Sequence, residues 1–202
     1  MSENILLDSL PETVEVNGKE FFIDTDFRTC IIFEKILESD IPSRQKVDEF
    51  IGLFFPEGRP DDLSAATEAI LRLYRCGDDN KPVRQRKRQM NGKVEIKPQM
   101  IYNYEYDAPY IFGAFYAQYG IDLNEIEYLH WWKFQALFKS LEDHNKIVEI
   151  MGYRATDLSK IENKKERERI ARLKQIYALP QNLSFEDKVA MAGAAFGGGF
   201  MR

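Results

Sequence analysis

Residues 102–141 read YNYEYDAPYIFGAFYAQYGIDLNEIEYLHWWKFQALFKSL, and this one stretch holds half of the chain's Phe, Tyr and Trp residues. A fully exposed large apolar side chain forgoes about 1.5–3 kcal/mol relative to burial. So dense an aromatic block is therefore a core or a binding surface. Its charged residues form no catalytic arrangement, so the block speaks for packing and recognition over chemistry. Asp107 stands before Ala108 and Pro109, the pattern of an N-cap followed by Pro in the first turn. It predicts a helix over 107–119 that stops at Gly120. Ile111, Phe112, Phe115 and Tyr119 make its main stripe, and Gly113, Ala114 and Ala117 leave a shallow strip that another backbone could approach closely. A helix apolar nearly all round is expected to be central and buried. Asn124 with Glu127 three residues on resembles a capping box and predicts a second helix over 125–141. At helical spacing Ile126, Trp131, Phe134, Leu137, Phe138 and Leu141 share one broad face and Leu129, Trp132 and Ala136 a second, so this helix should touch neighbours on two sides.

Outward to the N-terminus, Val14–Ile23 reads VEVNGKEFFI, two alternating runs joined by Asn17-Gly18, the strongest short hairpin signal. Pairing across the turn sets Val14 opposite Phe21. Helical patterns follow over 26–39, over 43–55 with Ser43 as its cap, and over 62–76 with Gly77 at its end. Between Gly77 and Pro98 large apolar residues nearly vanish, and Arg84, Arg86, Lys87, Arg88, Lys93 and Lys97 make the stretch basic. It reads as a solvated linker rather than a nucleic-acid patch. Outward to the C-terminus a short helix is expected over 144–153 and a longer, charge-laced one over 158–177. In the latter, pairs such as Glu166 and Arg169 stand three or four apart. Ser184 then caps a last short helix before the glycine-rich end. The expected class is mainly α with a small N-terminal β-hairpin. The expected organisation is a lobe over 1–77, a basic linker over 78–98, an aromatic-rich helical lobe over 99–180, and a short helix and tail over 181–202.

A chain of 202 residues with 44% hydrophobic and 30% charged residues can bury a core without disulfides or metals. No run of about 18 apolar residues suggests a membrane span. The acidic start, MSENILLDSLPETVEV, argues against a secretory signal, so a cytoplasmic location is expected. Net charge is −9 over 1–83, +5 over 84–97, −5 over 98–153 and +4 thereafter. This alternating field suits protein contacts, self-association included, better than a phosphate backbone.

His130 and His144 are the only histidines, and Cys30 and Cys76 the only cysteines. Neither CxxC nor HxxxH spacing occurs, so no metal, cofactor or disulfide is expected. His130 falls inside an apolar stripe and reads as a core histidine holding one hydrogen bond. Asp107 and Asp122 read as helix caps rather than acid/base catalysts. No phosphate-binding loop or nucleophile motif is present, so no enzyme is expected.

The strings YEYDAPYIFGAFYAQYGIDL, LHWWKFQALFKSL and KIVEIMGYRATDLSKI resemble the bacteriophage gene-product-fifteen family over roughly residues 10–180. The resemblance rests most specifically on Asp107, Tyr110, Ile111, Ala114, Phe115, Tyr119 to Leu123, and His130 to Phe134. It implies a tail assembly chaperone of long-tailed phages and prophages, a non-enzymatic helical protein that coats the tape-measure protein and helps recruit the major tail protein. Such a protein would act in the host bacterial cytoplasm and be absent from the finished virion. A structural or accessory tail protein, or a nucleic-acid-binding accessory protein, is the alternative. On this reading Tyr102, Tyr104, Tyr106 and Tyr128 are the expected contact residues, since Tyr joins a rigid apolar ring to a tip that tolerates water.

Overall fold

A computed structural model of the chain describes residues 5–78 and 100–180. Within them lie a two-stranded antiparallel hairpin and seven α-helices, so the protein is mainly α with a small N-terminal hairpin. The basic run from Arg84 to Lys97, the expected helix from Ser184 and the glycine-rich end fall outside the described residues. The elements are β1 (Thr13–Val16), β2 (Lys19–Phe22), α1 (Phe27–Glu38), α2 (Ser43–Phe54), α3 (Leu63–Tyr74), α4 (Ala108–Tyr119), α5 (Trp131–Lys139), α6 (Lys146–Ala155) and α7 (Lys164–Ile176). They fall into two compact units, 5–78 with 111–142, and 100–110 with 143–180. The aromatic helices from Ile111 onward therefore group with the hairpin and α1–α3, not with the C-terminal residues as expected.

In the first unit Asn17 and Gly18 both take positive φ, 51° and 75°, which closes the hairpin with Val14 opposite Phe21. Asp26 caps α1 by accepting the Arg28 N–H, and Asp62 caps α3 by accepting those of Ser64 and Ala65. Ser43 does not cap α2: it is the first helical residue after Pro42, and no side chain caps that end. Phe33 on α1 meets Phe50, Phe54 and Tyr74 edge-on at 5.3–5.5 Å. These contacts join α1, α2 and α3. Phe134 on α5 stacks on Phe27 at 4.9 Å and on Phe115 of α4 at 5.0 Å, while Trp131 stacks on Tyr74 at 5.5 Å. The indole N–H groups of Trp131 and Trp132 donate to the carbonyls of Tyr74 and Leu73, so α5 does touch neighbours on two sides. Cys30 is buried and Cys76 partly so, both as free thiols.

The second aromatic helix begins at 131, not 125. Residues 129–131 instead pair with 25–27: Trp131 N–H donates to Thr25 at 2.7 Å and Phe27 N–H to Leu129 at 3.0 Å. Asp26 accepts the Leu129 N–H at 3.2 Å, and Arg28 donates to the carbonyls of Leu123 and Ile126. These bonds engage the carbonyls of Leu123, Ile126 and Leu129 and the Leu129 N–H outside a helix. The expected capping box is absent, and Asp122 accepts the N–H groups of Asn124 and Glu125 in a turn.

In the second unit Ile147, Ile150, Ile170 and Tyr104 are buried. The helix expected over 158–177 is broken. Leu158–Lys160 form a 3-10 turn behind Asp157, and α7 starts only after Asn163, which accepts the Glu166 N–H. Asn and Asp side chains compete with helical backbone bonds, and here they break the run. Of the spaced charge pairs, Glu166 and Arg169 meet at 2.8 Å.

Candidate functional site

Three residues that looked available for chemistry are engaged in structural bonds. Asp107 is not a simple cap: its buried carboxylate takes two bonds from the Arg154 guanidinium, at 2.6 and 2.9 Å, and one from the Asn103 N–H at 2.9 Å. Asp122 holds a turn. His130 is buried and holds two bonds where one was expected. Its Nδ1 accepts the Trp132 N–H at 3.0 Å, capping α5, and its Nε2 lies 3.2 Å from the Pro11 carbonyl. The ring is therefore the neutral tautomer with the proton on Nε2, since Nδ1 must accept and a carbonyl can only accept. Among the described residues no group of three or more His, Cys, Asp or Glu side chains could hold a metal ion, and no helix is long and apolar enough to cross a membrane.

Burial pushes the His130 pKa below its ordinary value. A histidine that titrates lower when folded gives stability that is full above its unfolded pKa of about 6.5 and is lost as pH falls through the folded value. Thermal unfolding midpoints should stay level from pH 8 to about 6.5 and then decline. His130→Asn, which keeps a capping acceptor, should flatten the first part of that decline. An identical pH profile in the variant would assign the decline to other groups.

The surface feature of the first unit is α4. The helix was expected to be buried all round, but only one face is: Ile111, Ala114 and Phe115 are buried, and Tyr119 and Gln118 bond across to the carbonyls of Leu137 and Ser140. A single partner helix covers one side of a 3.6-residue repeat. Gly113, Tyr116 and Ala117 face out, with Tyr116 59% exposed and stacked on half-buried Phe112 at 6.2 Å. The helix carries no charged residue along its length.

A Cβ on Gly113 would meet nothing within 4 Å, so no packing inside the described chain requires glycine there. Mid-helix glycine costs about 0.8–1 kcal/mol relative to alanine. Gly52 and Gly152 are equally open, but they lie on helices that carry charged residues, Asp48 and Glu49 on α2 and Glu149 on α6. Gly113→Ala is expected to raise stability by about 0.5–1 kcal/mol, read as a shift in the urea midpoint. A loss of stability would show that the glycine serves the fold.

The four expected contact tyrosines are not equivalent. Tyr128, in the first unit, is 45% exposed, with its hydroxyl hydrogen-bonded to Thr25 at 2.6 Å. Tyr102 and Tyr106, in the second, are half-buried. Tyr104 is 6% exposed, with its ring edge-on to Tyr102 at 5.3 Å, and it is a core residue. Its polar tip marked it as a surface ring, but residue type alone does not show which tyrosine the rest of the chain covers.

Residues 6–179 match the family described as Bacteriophage Gp15 protein. The chain belongs to this family. It is a phage protein, and the match covers the hairpin and all seven described helices of this Gp15 protein. No curated protein and no solved structure matches it. What sequence reasoning missed in the Gp15 chain is the outward face of α4, though Gly113 and Ala117 of the small-residue strip were its signal, Ala114 being buried. It also missed the partnership of Asp107 with Arg154, which lie 47 positions apart with no local pattern to link them.

Proposed function

We propose that this Gp15-family protein is a non-enzymatic tail assembly chaperone. It binds the tape-measure protein in the host bacterial cytoplasm, assists recruitment of major tail protein subunits and does not enter the finished virion. Family membership motivates the reading, and the outward face of α4 carries it. An uncharged helical face with a glycine that the chain's own packing does not need suits the close approach of a partner helix. Helix-in-groove recognition uses apolar anchors at helical spacing, and Phe112 and Tyr116 on either side of Gly113 supply one such set. A long apolar helical partner without its final neighbours needs many weak covers rather than one tight one. Copies bound along one chain reinforce each other through effective concentration, and each contact stays weak enough to release. Tyr128, Tyr102 and Tyr106 are proposed as flanking contacts, while core rings such as Phe115 matter through folding alone.

The test is a pair of exposed substitutions, Tyr116→Asp and Gly113→Leu. Surface changes away from core contacts alter stability little, and removing the mid-helix glycine raises it, so neither variant should lose more than about 0.5 kcal/mol of stability while co-purification with tape-measure protein drops. Full retention of the complex with both variants would remove α4 from the interface.

A further inference from the structure

Lys146 is the first residue of α6, where the helix dipole and free N–H groups disfavour a cation. Its ammonium is held there by Glu149 at 2.9 Å and lies over the rings of Tyr177 and Tyr153, 5.2 and 6.0 Å from their centroids. The two rings are 6.0 Å apart and inclined by only 24°. Tyr110 meets Tyr177 edge-on at 6.4 Å. The Tyr153 hydroxyl reaches the same Glu149 oxygen at 3.4 Å.

Two residues of this cluster, Tyr177 and Tyr110, are also held by backbone bonds that do not involve Lys146. Buried Arg154 donates from Nε to the Tyr177 carbonyl at 2.6 Å and pairs with Asp107. The Asp107 carbonyl in turn accepts the Tyr110 N–H at 3.0 Å. One buried ion pair thus positions two of the three rings, while the Lys146 side chain remains 45% exposed and can swing away without disturbing the core. Ring faces attract a cation through their quadrupole within about 6 Å, and the carboxylate accepts its N–H bonds.

We propose that Tyr110, Tyr153, Tyr177 and Glu149 form a recognition site for the lysine ammonium of a second protein, occupied by Lys146 in the free chain and yielded to the partner by displacement. Tyr110 lies in the first turn of α4, while Glu149 and Tyr153 lie in α6 and Tyr177 follows α7, and the inference does not rest on the tape-measure reading.

The test uses the full chain and Nα-acetyl-lysine N-methylamide as the probe, with the norleucine analogue as an uncharged control, followed by the amide resonances of Glu149, Tyr153 and Tyr177. An internal competitor lowers apparent affinity by the fraction of sites it fills. If Lys146 fills the site nine times in ten, Lys146→Met should bind the lysine probe about tenfold more tightly than the unaltered protein. The norleucine analogue should not shift these resonances, and Tyr153→Leu in the Lys146→Met background should abolish the gain. Three results would overturn the proposal: no saturable shift in Lys146→Met, equal response to norleucine, or undiminished binding without the Tyr153 ring. Lys146 and Tyr153 lie at the surface of the helix pair, so folding of the variants is checked independently by their unchanged spectra elsewhere.

Discussion

Replacing Arg154 with methionine is expected to destabilise the protein by about 3–5 kcal/mol, the range for breaking a buried ion pair from one side. The guanidinium is 6% exposed and the Asp107 carboxylate 1%, so neither has water to fall back on. Arg154 also donates to the carbonyls of Ile101 and Tyr177, at 3.0 and 2.6 Å, and so ties residues 101–107, α6 and the end of α7 to a single side chain. Methionine keeps the stem's volume but leaves a charge buried without its partner. The double variant Asp107→Leu with Arg154→Met should recover a large part of the loss, because removing both charges also removes their desolvation cost. Recovery stays incomplete, since the two carbonyls still lose their donor. Urea unfolding reads all three proteins, and a single variant within 1 kcal/mol of the parent would contradict this account of the second unit.

Phe134→Ala is expected to cost about 3–5 kcal/mol by the combined loss of transfer energy and creation of a cavity. Its ring is fully buried and lies nearly parallel to four others, Phe27, Phe115, Trp131 and Phe138, at centroid distances of 4.9, 5.0, 5.6 and 6.2 Å. These neighbours come from α1, α4 and α5, each held by its own contacts, so they cannot collapse into the space. Phe134→Leu fills more of the volume and should cost clearly less. Equal losses for the two substitutions would mean that the stack relaxes freely around the site.

The hairpin and α1 to α4 were legible because their signals are local. Asn17-Gly18 fixes a turn by its own φ preferences, Asp26 and Asp62 cap helices two residues away, and Gly120, at φ 67°, ends α4. The start of α5 was not, because what keeps 125–129 out of a helix is bonding to Asp26 and Arg28, about a hundred positions earlier. The same holds for the grouping of 111–142 with the N-terminal elements. The aromatic spacing shows that α4 and α5 present apolar faces, but only Phe27, Leu73 and Tyr74 show what those faces meet. Asp107 carried two readings in the sequence, a helix cap and a free carboxylate; it does stand at the start of α4, but a distant arginine pairs with its carboxylate, so it is not free. For the candidate site, burial removes one of the four tyrosines offered by the sequence. The sequence offered Tyr104, which is core, and treated the Gly113 and Ala117 strip as buried. Periodicity counts apolar positions on each side of a helix and leaves open which side another element will cover.

Co-expression with the tape-measure protein of the same phage tests the central claim most directly. The reading of this Gp15 protein as its chaperone predicts a soluble complex with several copies bound to each tape-measure chain, in which the tape-measure protein aggregates when expressed alone. It also predicts that the copies are lost when Tyr116 is replaced by aspartate. A tape-measure protein that is equally soluble and monodisperse without this partner would contradict it.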